Sequence, residues 1–213
     1  QAYLGRWAAS PAGQIPYEQL DALWVSFPEA IDPAAWPGVP VRPIPDPATV
    51  RPLLESLAAA VVDPVLQDAY RQLEAIVVLP HSTMLDGAEA EEALGRLIDE
   101  LVDSGLTVGI KRHPRDDPAA FGRYLPSTIT VIEPSLPVEL IFLLPGSSVR
   151  WIVTDRTTAV LSGPRYRPTA RTITFSNGVP PEVREAYERL MRATGGVLVD
   201  APDAARKAIT GHV

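Results

Sequence analysis

"AIVVLP", residues 75–80, is an unbroken apolar run. A strand with one wet face alternates apolar and polar residues, whereas a run this short and this apolar fits a strand covered on both faces, as in a parallel sheet. The segments that follow keep the same rhythm. "GAEAEEALGRLIDELVDSG" (87–105) is amphipathic: Leu94, Leu97, Ile98 and Leu101 share a helical face and Gly105 follows the end. "LTVGIKR" (106–112) is the next strand, and a loop or short helix around "PAAFGRYLP" (118–126) leads to the strand "TITVIEP" (128–134). "LPVELIFLLPG" (136–146) reads as a short buried helix, "SVRWIVTD" (148–155) as a strand, "TTAVLSG" (157–163) as a helix start and "ARTITFS" (170–176) as the last strand. "PPEVREAYERLMRATG" (180–195) and "PDAARKAIT" (202–210) are closing helices. From residue 74 the order is therefore β-α-β-α-β-α-β, which predicts an α/β fold with a parallel sheet and helices on both faces. Ligands of such sheets bind at the carboxyl ends of the strands.

Upstream, the pattern is less regular. "SPAGQIP" (10–16) is a loop signal, "ALWVSF" (22–27) a short strand, and the proline-dense "EAIDPAAWPGVPVRPIPDP" (29–47) mostly irregular, with a second strand near Val41 to Ile44. "DPATVRPLLESLAAAVV" (46–62) predicts a helix with Asp46 as N-cap and Pro47 at its first position, and "DPVLQDAYRQL" (63–73) opens with the same Asp-Pro pair. Residues 1–73 are thus expected to be an amino-terminal region, partly linker and partly a remnant of or connection to another domain, and residues 74–213 the α/β domain.

Composition narrows the function classes. The net charge is −7, which argues against a nucleic-acid binder and against adhesion to anionic lipid. The absence of cysteine excludes disulfides and thiolate metal sites. No apolar run reaches the ~20 residues that span a bilayer. With no visible signal peptide, a cytoplasmic location is expected, free or peripheral to the inner membrane. A chain beginning with Gln1 rather than Met is expected to be a fragment or a processed product.

Four loops after the strands carry the chemistry. In "KRHPR" (111–115), Lys111, Arg112 and Arg115 surround His113, and Pro114 fixes the backbone beside it. That much local positive charge in an acidic chain suits a small anion, and a bound phosphate would make His113 a hydrogen-bond donor to it. In "TDRTT" (154–158), Thr157 and Thr158 stand at a helix start, where amide groups and the helix dipole favour a phosphate. Plain N-capping is the commoner use of a threonine there. Glu139, in the first turn after Pro137, either complements the helix dipole or accepts from a ribose diol. His81 and Ser82 in "LPHST" (79–83) could reach a ligand from the first strand end. Asp116 and Asp117 are expected to be solvated rather than metal-binding. Neither G-x-G-x-x-G nor a P-loop occurs. Neither a metal nor a cofactor is expected.

"IKRHPRD", "LPVELIF" and "VTDRTTAVL", in that order, resemble the carboxyl-terminal half of bacterial sialyltransferases, above all the polysialyltransferase and lipooligosaccharide sialyltransferase groups. These share a His-Pro motif, a Pro-x-Glu helix start and a Ser/Thr pair after a strand. The separations, 26 residues from His113 to Glu139 and 18 more to Thr157, fit as well. Capsule transferases that use CMP-Kdo show the same order. The resemblance covers roughly residues 22–165. It implies a GT-B fold, of which this chain supplies the Rossmann-like nucleotide-sugar-binding half, and inverting, metal-independent transfer of a sialic acid-like sugar from a CMP-sugar donor to a glycan acceptor. His113 would be the catalytic acid to the CMP phosphate. Glu139 would hold the ribose, and Thr157 and Thr158 the phosphate. Lys111, Pro114, Arg115 and Ser82 complete the expected binding residues. The family's acidic-Gly base motif has no counterpart in the right order: "LDG" (85–87) precedes the His-Pro pair within the nucleotide half. A truncated piece, a non-catalytic CMP-binding or regulatory domain, and a nucleotide-sugar epimerase-like protein are the alternatives.

Overall fold

A computed structural model describes residues 21–32, 34, 36–82, 88–117, 128–154, 157–175 and 181–211. The chain forms two units: residues 1–46 with 178–196, and residues 47–177 with 197–213. In the smaller unit, β1 (Leu23–Val25) and β2 (Val41–Pro43) pair in parallel, Leu23 opposite Val41. Residues 47–73, grouped above with the amino-terminal region, belong to the larger unit, whereas 178–196 belong with 1–46.

The larger unit opens with a 3-10 turn (Pro47–Val50) that runs into α1 (Arg51–Val61). Helix α1 therefore begins later than the expected cap at Asp46: Val50 is its N-cap and gives no side-chain hydrogen bond. The second Asp-Pro pair behaves as its chemistry dictates. Asp63 Oδ1 accepts the Val65 amide at 2.9 Å, and Pro64 opens α2 (Pro64–Arg71). The chain continues as β3 (Ala75–Val78), α3 (Ala88–Asp103), β4 (Val108–Lys111), β5 (Thr130–Ile132), α4 (Val138–Phe142), β6 (Trp151–Thr154), α5 (Ala159–Tyr166) and β7 (Arg171–Phe175). It then contributes α6 (Pro181–Thr194) to the smaller unit and returns as β8 (Val197–Val199) and α7 (Pro202–Thr210). Strand β8 corrects the reading of "ARTITFS" as the last strand. Its three residues between two helices are too few to show a period.

All pairings in the six-stranded sheet are parallel, in the order β5-β4-β3-β6-β7-β8. Counted within the sheet this is 3-2-1-4-5-6, the Rossmann-like doubly wound order, whose direction reverses between β3 and β6. Alternate residues of one strand feed opposite cores. Ile76 and Val78 pack with Tyr70, Ile141 and Phe142 on the face covered by α1, α2 and α4. Ala75 and Val77 pack with Leu97, Ile98, Leu101 and Ala205 on the face covered by α3 and α7. Both faces are dry, which is why the strand reads as an unbroken apolar run. Gly109 is needed in β4 because Leu73 lies on it: a Cβ there would meet Leu73 Cδ1 at 2.5 Å. Among the described residues no helix is long and apolar enough to cross a membrane. The expected loops at 10–16 and 118–126 and the "LDG" at 85–87 lie outside the described residues.

Candidate functional site

The loops that follow β3, β4, β5 and β6 converge on a cleft of about 430 Å³ at the carboxyl ends of those strands. It lies over the point where the strand order reverses, the place where doubly wound sheets bind ligands. His81 enters from β3, Lys111, His113 and Pro114 from β4, Glu139 from α4, and Thr157 and Thr158 from the segment between β6 and α5. These residues, singled out from sequence, thus share one cavity. Arg115 and Ser82 are not among the described residues that line it.

The side chains have distinct duties. His113 Nδ1 accepts the Arg115 amide at 3.3 Å, so the proton of the neutral ring sits on Nε2. Arg115 thus serves His113 through its backbone, while its side chain is exposed. Lys111 is buried, and its Nζ donates to the carbonyls of Arg112 (3.0 Å) and Pro134 (2.5 Å). It staples the end of β4 to the loop after β5 instead of offering an open charge. Burial pushes the Lys111 ammonium below the usual lysine value. Glu133 and Glu139 oppose that shift and Arg112 adds to it.

Thr157 and Thr158 divide their work. The Thr157 hydroxyl touches that of Thr154 and accepts the Ala159 amide at 3.3 Å. Thr158 is the N-cap of α5, yet it makes no side-chain capping bond, and it is exposed. Plain N-capping therefore does not account for Thr158. Glu139 is half-buried in the first turn of α4.

Ser82 and Asp116 depart from expectation most. Ser82 donates to Asp116 Oδ1 through both its amide (3.0 Å) and its hydroxyl (2.7 Å). The Asp116 side chain is only 1% exposed, so it is not solvated. It is buried because residues far upstream fold over it, and no local pattern signals that. Asp117 is exposed. Among the described residues no group of three or more His, Cys, Asp or Glu could hold a metal ion.

Comparison with protein-family models and with curated proteins finds no match for this chain.

Proposed function

We propose that the chain is the nucleotide-binding half of an inverting glycosyltransferase of sialyltransferase type, which uses a CMP-activated acidic sugar and a glycan acceptor. One observation carries this reading: His113, Glu139, Thr157 and Thr158, widely spaced in sequence, line a single cleft at the reversal point of the sheet. Glu139 accepts from the ribose diol. The phosphate lies between His113 Nε2–H and the amino end of α5, with the Thr158 hydroxyl as a further donor. As the bond between the anomeric carbon and the phosphate oxygen breaks, CMP leaves with the electron pair, and these donors stabilise the charge that develops. The acceptor oxygen attacks from the opposite face, and its proton passes to a base outside the cleft.

Calorimetry with CMP, UMP and ADP tests the nucleotide. CMP should bind best and keep its affinity in EDTA, and His113→Ala should weaken CMP by about 1.5–3 kcal/mol, the scale of a hydrogen bond to a charged group, while cytidine is unaffected. Equal binding of the three nucleotides, or none, would sink the assignment. A second reading, CMP binding without turnover, is favoured by the fact that Glu139, assigned to the ribose, is the sole carboxylate among the described residues lining the cleft. Incubation with a CMP-sialic acid donor and a glycan acceptor separates the two.

A further inference from the structure

Two histidines from different strand ends face each other in the cleft, and a buried carboxylate anchors one of them. His81 follows β3 and His113 follows β4, and both line the cavity. Their rings meet edge to face, with centroids 4.9 Å apart and planes at 64°. His81 Nδ1 lies 3.6 Å from Asp116 Oδ1. That oxygen also takes both Ser82 bonds, whereas Asp116 Oδ2 is buried with no hydrogen-bond partner among the described residues. A carboxylate so far out of water is costly without a cation beside it. Among the described residues His81 is its ion-pair partner. The pairing turns His81 Nδ1 towards Asp116 and so presents the opposite edge of the ring, with Nε2, away from it.

We infer that His81 and His113 form a two-histidine clamp for the dianionic phosphate of a nucleoside monophosphate, and that Asp116 is the positioning residue that holds His81 in it. The clamp rests on the nucleotide reading above and adds a second contact to the same phosphate. His81 is turned by Asp116, which lies on its Nδ1 side. His113, whose Nδ1 is taken by the Arg115 amide, brings its Nε2 edge. Among the described residues the other charged groups lining the cleft are Lys111 and Arg112 at the end of β4 and Glu139 on α4. Ser82 belongs to this device as a support for Asp116.

The imidazole resonances of the full chain, assigned with His81→Gln and His113→Gln, test the clamp during titration with CMP, UMP, AMP and cytidine. A monophosphate should shift both histidines and cytidine neither. His81→Gln should weaken monophosphate binding about tenfold, the loss of one charge-assisted hydrogen bond. Asp116→Asn should reduce the CMP-induced shift of the His81 ring and weaken monophosphate binding while the melting temperature stays near that of wild type. A merely structural staple would leave the His81 response to CMP unchanged. If CMP shifts His113 alone, or if His81→Gln binds CMP as tightly as wild type, the clamp is wrong and the nucleotide reading stands. If binding depends on His81 but is equal for CMP, UMP and AMP, the clamp stands and the cytidine assignment fails. If no monophosphate shifts either ring, both are overturned.

Discussion

Thr157 and Thr158 are neighbours with the same side chain and opposite commitments. Thr157 spends its hydroxyl inside the protein, on Thr154 and on the Ala159 amide. Thr158 stands exposed at the mouth of α5 without a side-chain cap. Substitution by valine keeps the shape and removes the hydroxyl. Thr158→Val should weaken CMP binding by about 1.5–3 kcal/mol and leave stability unchanged. Thr157→Val should lower stability by about 1 kcal/mol, the net value of an internal hydrogen bond. Calorimetry and thermal denaturation of the two variants check the split, and a reversed pattern would assign the phosphate contact to Thr157. At this scale the sequence displays residue types but not commitments. His113, Glu139 and the threonines are visible as polar residues after apolar runs. The burial of Asp116 is invisible, because Ser82 and His81 supply it from 34 or more residues away.

Lys111 ends β4 and ties it to the segment after β5, so its charge is an element-scale matter. Its folded-state value lies below the ordinary 10.5, with burial the main cause. Between those two values the unfolded chain holds more protons than the folded one, so the contribution of this group to stability rises with pH and is complete above 10.5. At neutral pH the burial penalty is in force, and the two hydrogen bonds offset it. Lys111→Met removes the donor to two carbonyls and should cost about 1–3 kcal/mol at neutral pH. The deficit should widen as pH approaches 10.5, because the wild-type amine loses its charge and keeps its hydrogen bonds. Urea unfolding at several pH values measures this, and a deficit independent of pH would refute it. The same physics explains which elements are legible. Strands β3, β4 and β6 are buried along their whole length, so their composition announces them. Strand β8 is only partly buried and three residues long, and the delayed start of α1 depends on how the 3-10 turn at Pro47–Val50 packs. Neither leaves a periodic trace.

The larger unit is built on a parallel sheet whose reversal point gathers four loops into one cleft; alternating apolar runs and helices were enough to anticipate the parallel sheet with helices on both faces, but not the strand order or where it reverses. They did not show that the larger unit is discontinuous, built from residues 47–177 and 197–213 with the intervening stretch assigned elsewhere. A chain ending at residue 177 would lack β8 and α7, and with them Val199, Ala205 and Ala208 from one of the two cores. It should show no cooperative thermal transition by circular dichroism, and a sharp one would mean the remaining strands suffice. The discontinuity also sets an order on biosynthesis. The chain leaves the ribosome amino end first, at about 5–20 residues per second, so β7 emerges well before the strand that pairs with its outer edge. For that interval the nascent chain carries an unpaired strand edge and an uncovered apolar face, a surface that holdase chaperones recognise and that aggregation exploits.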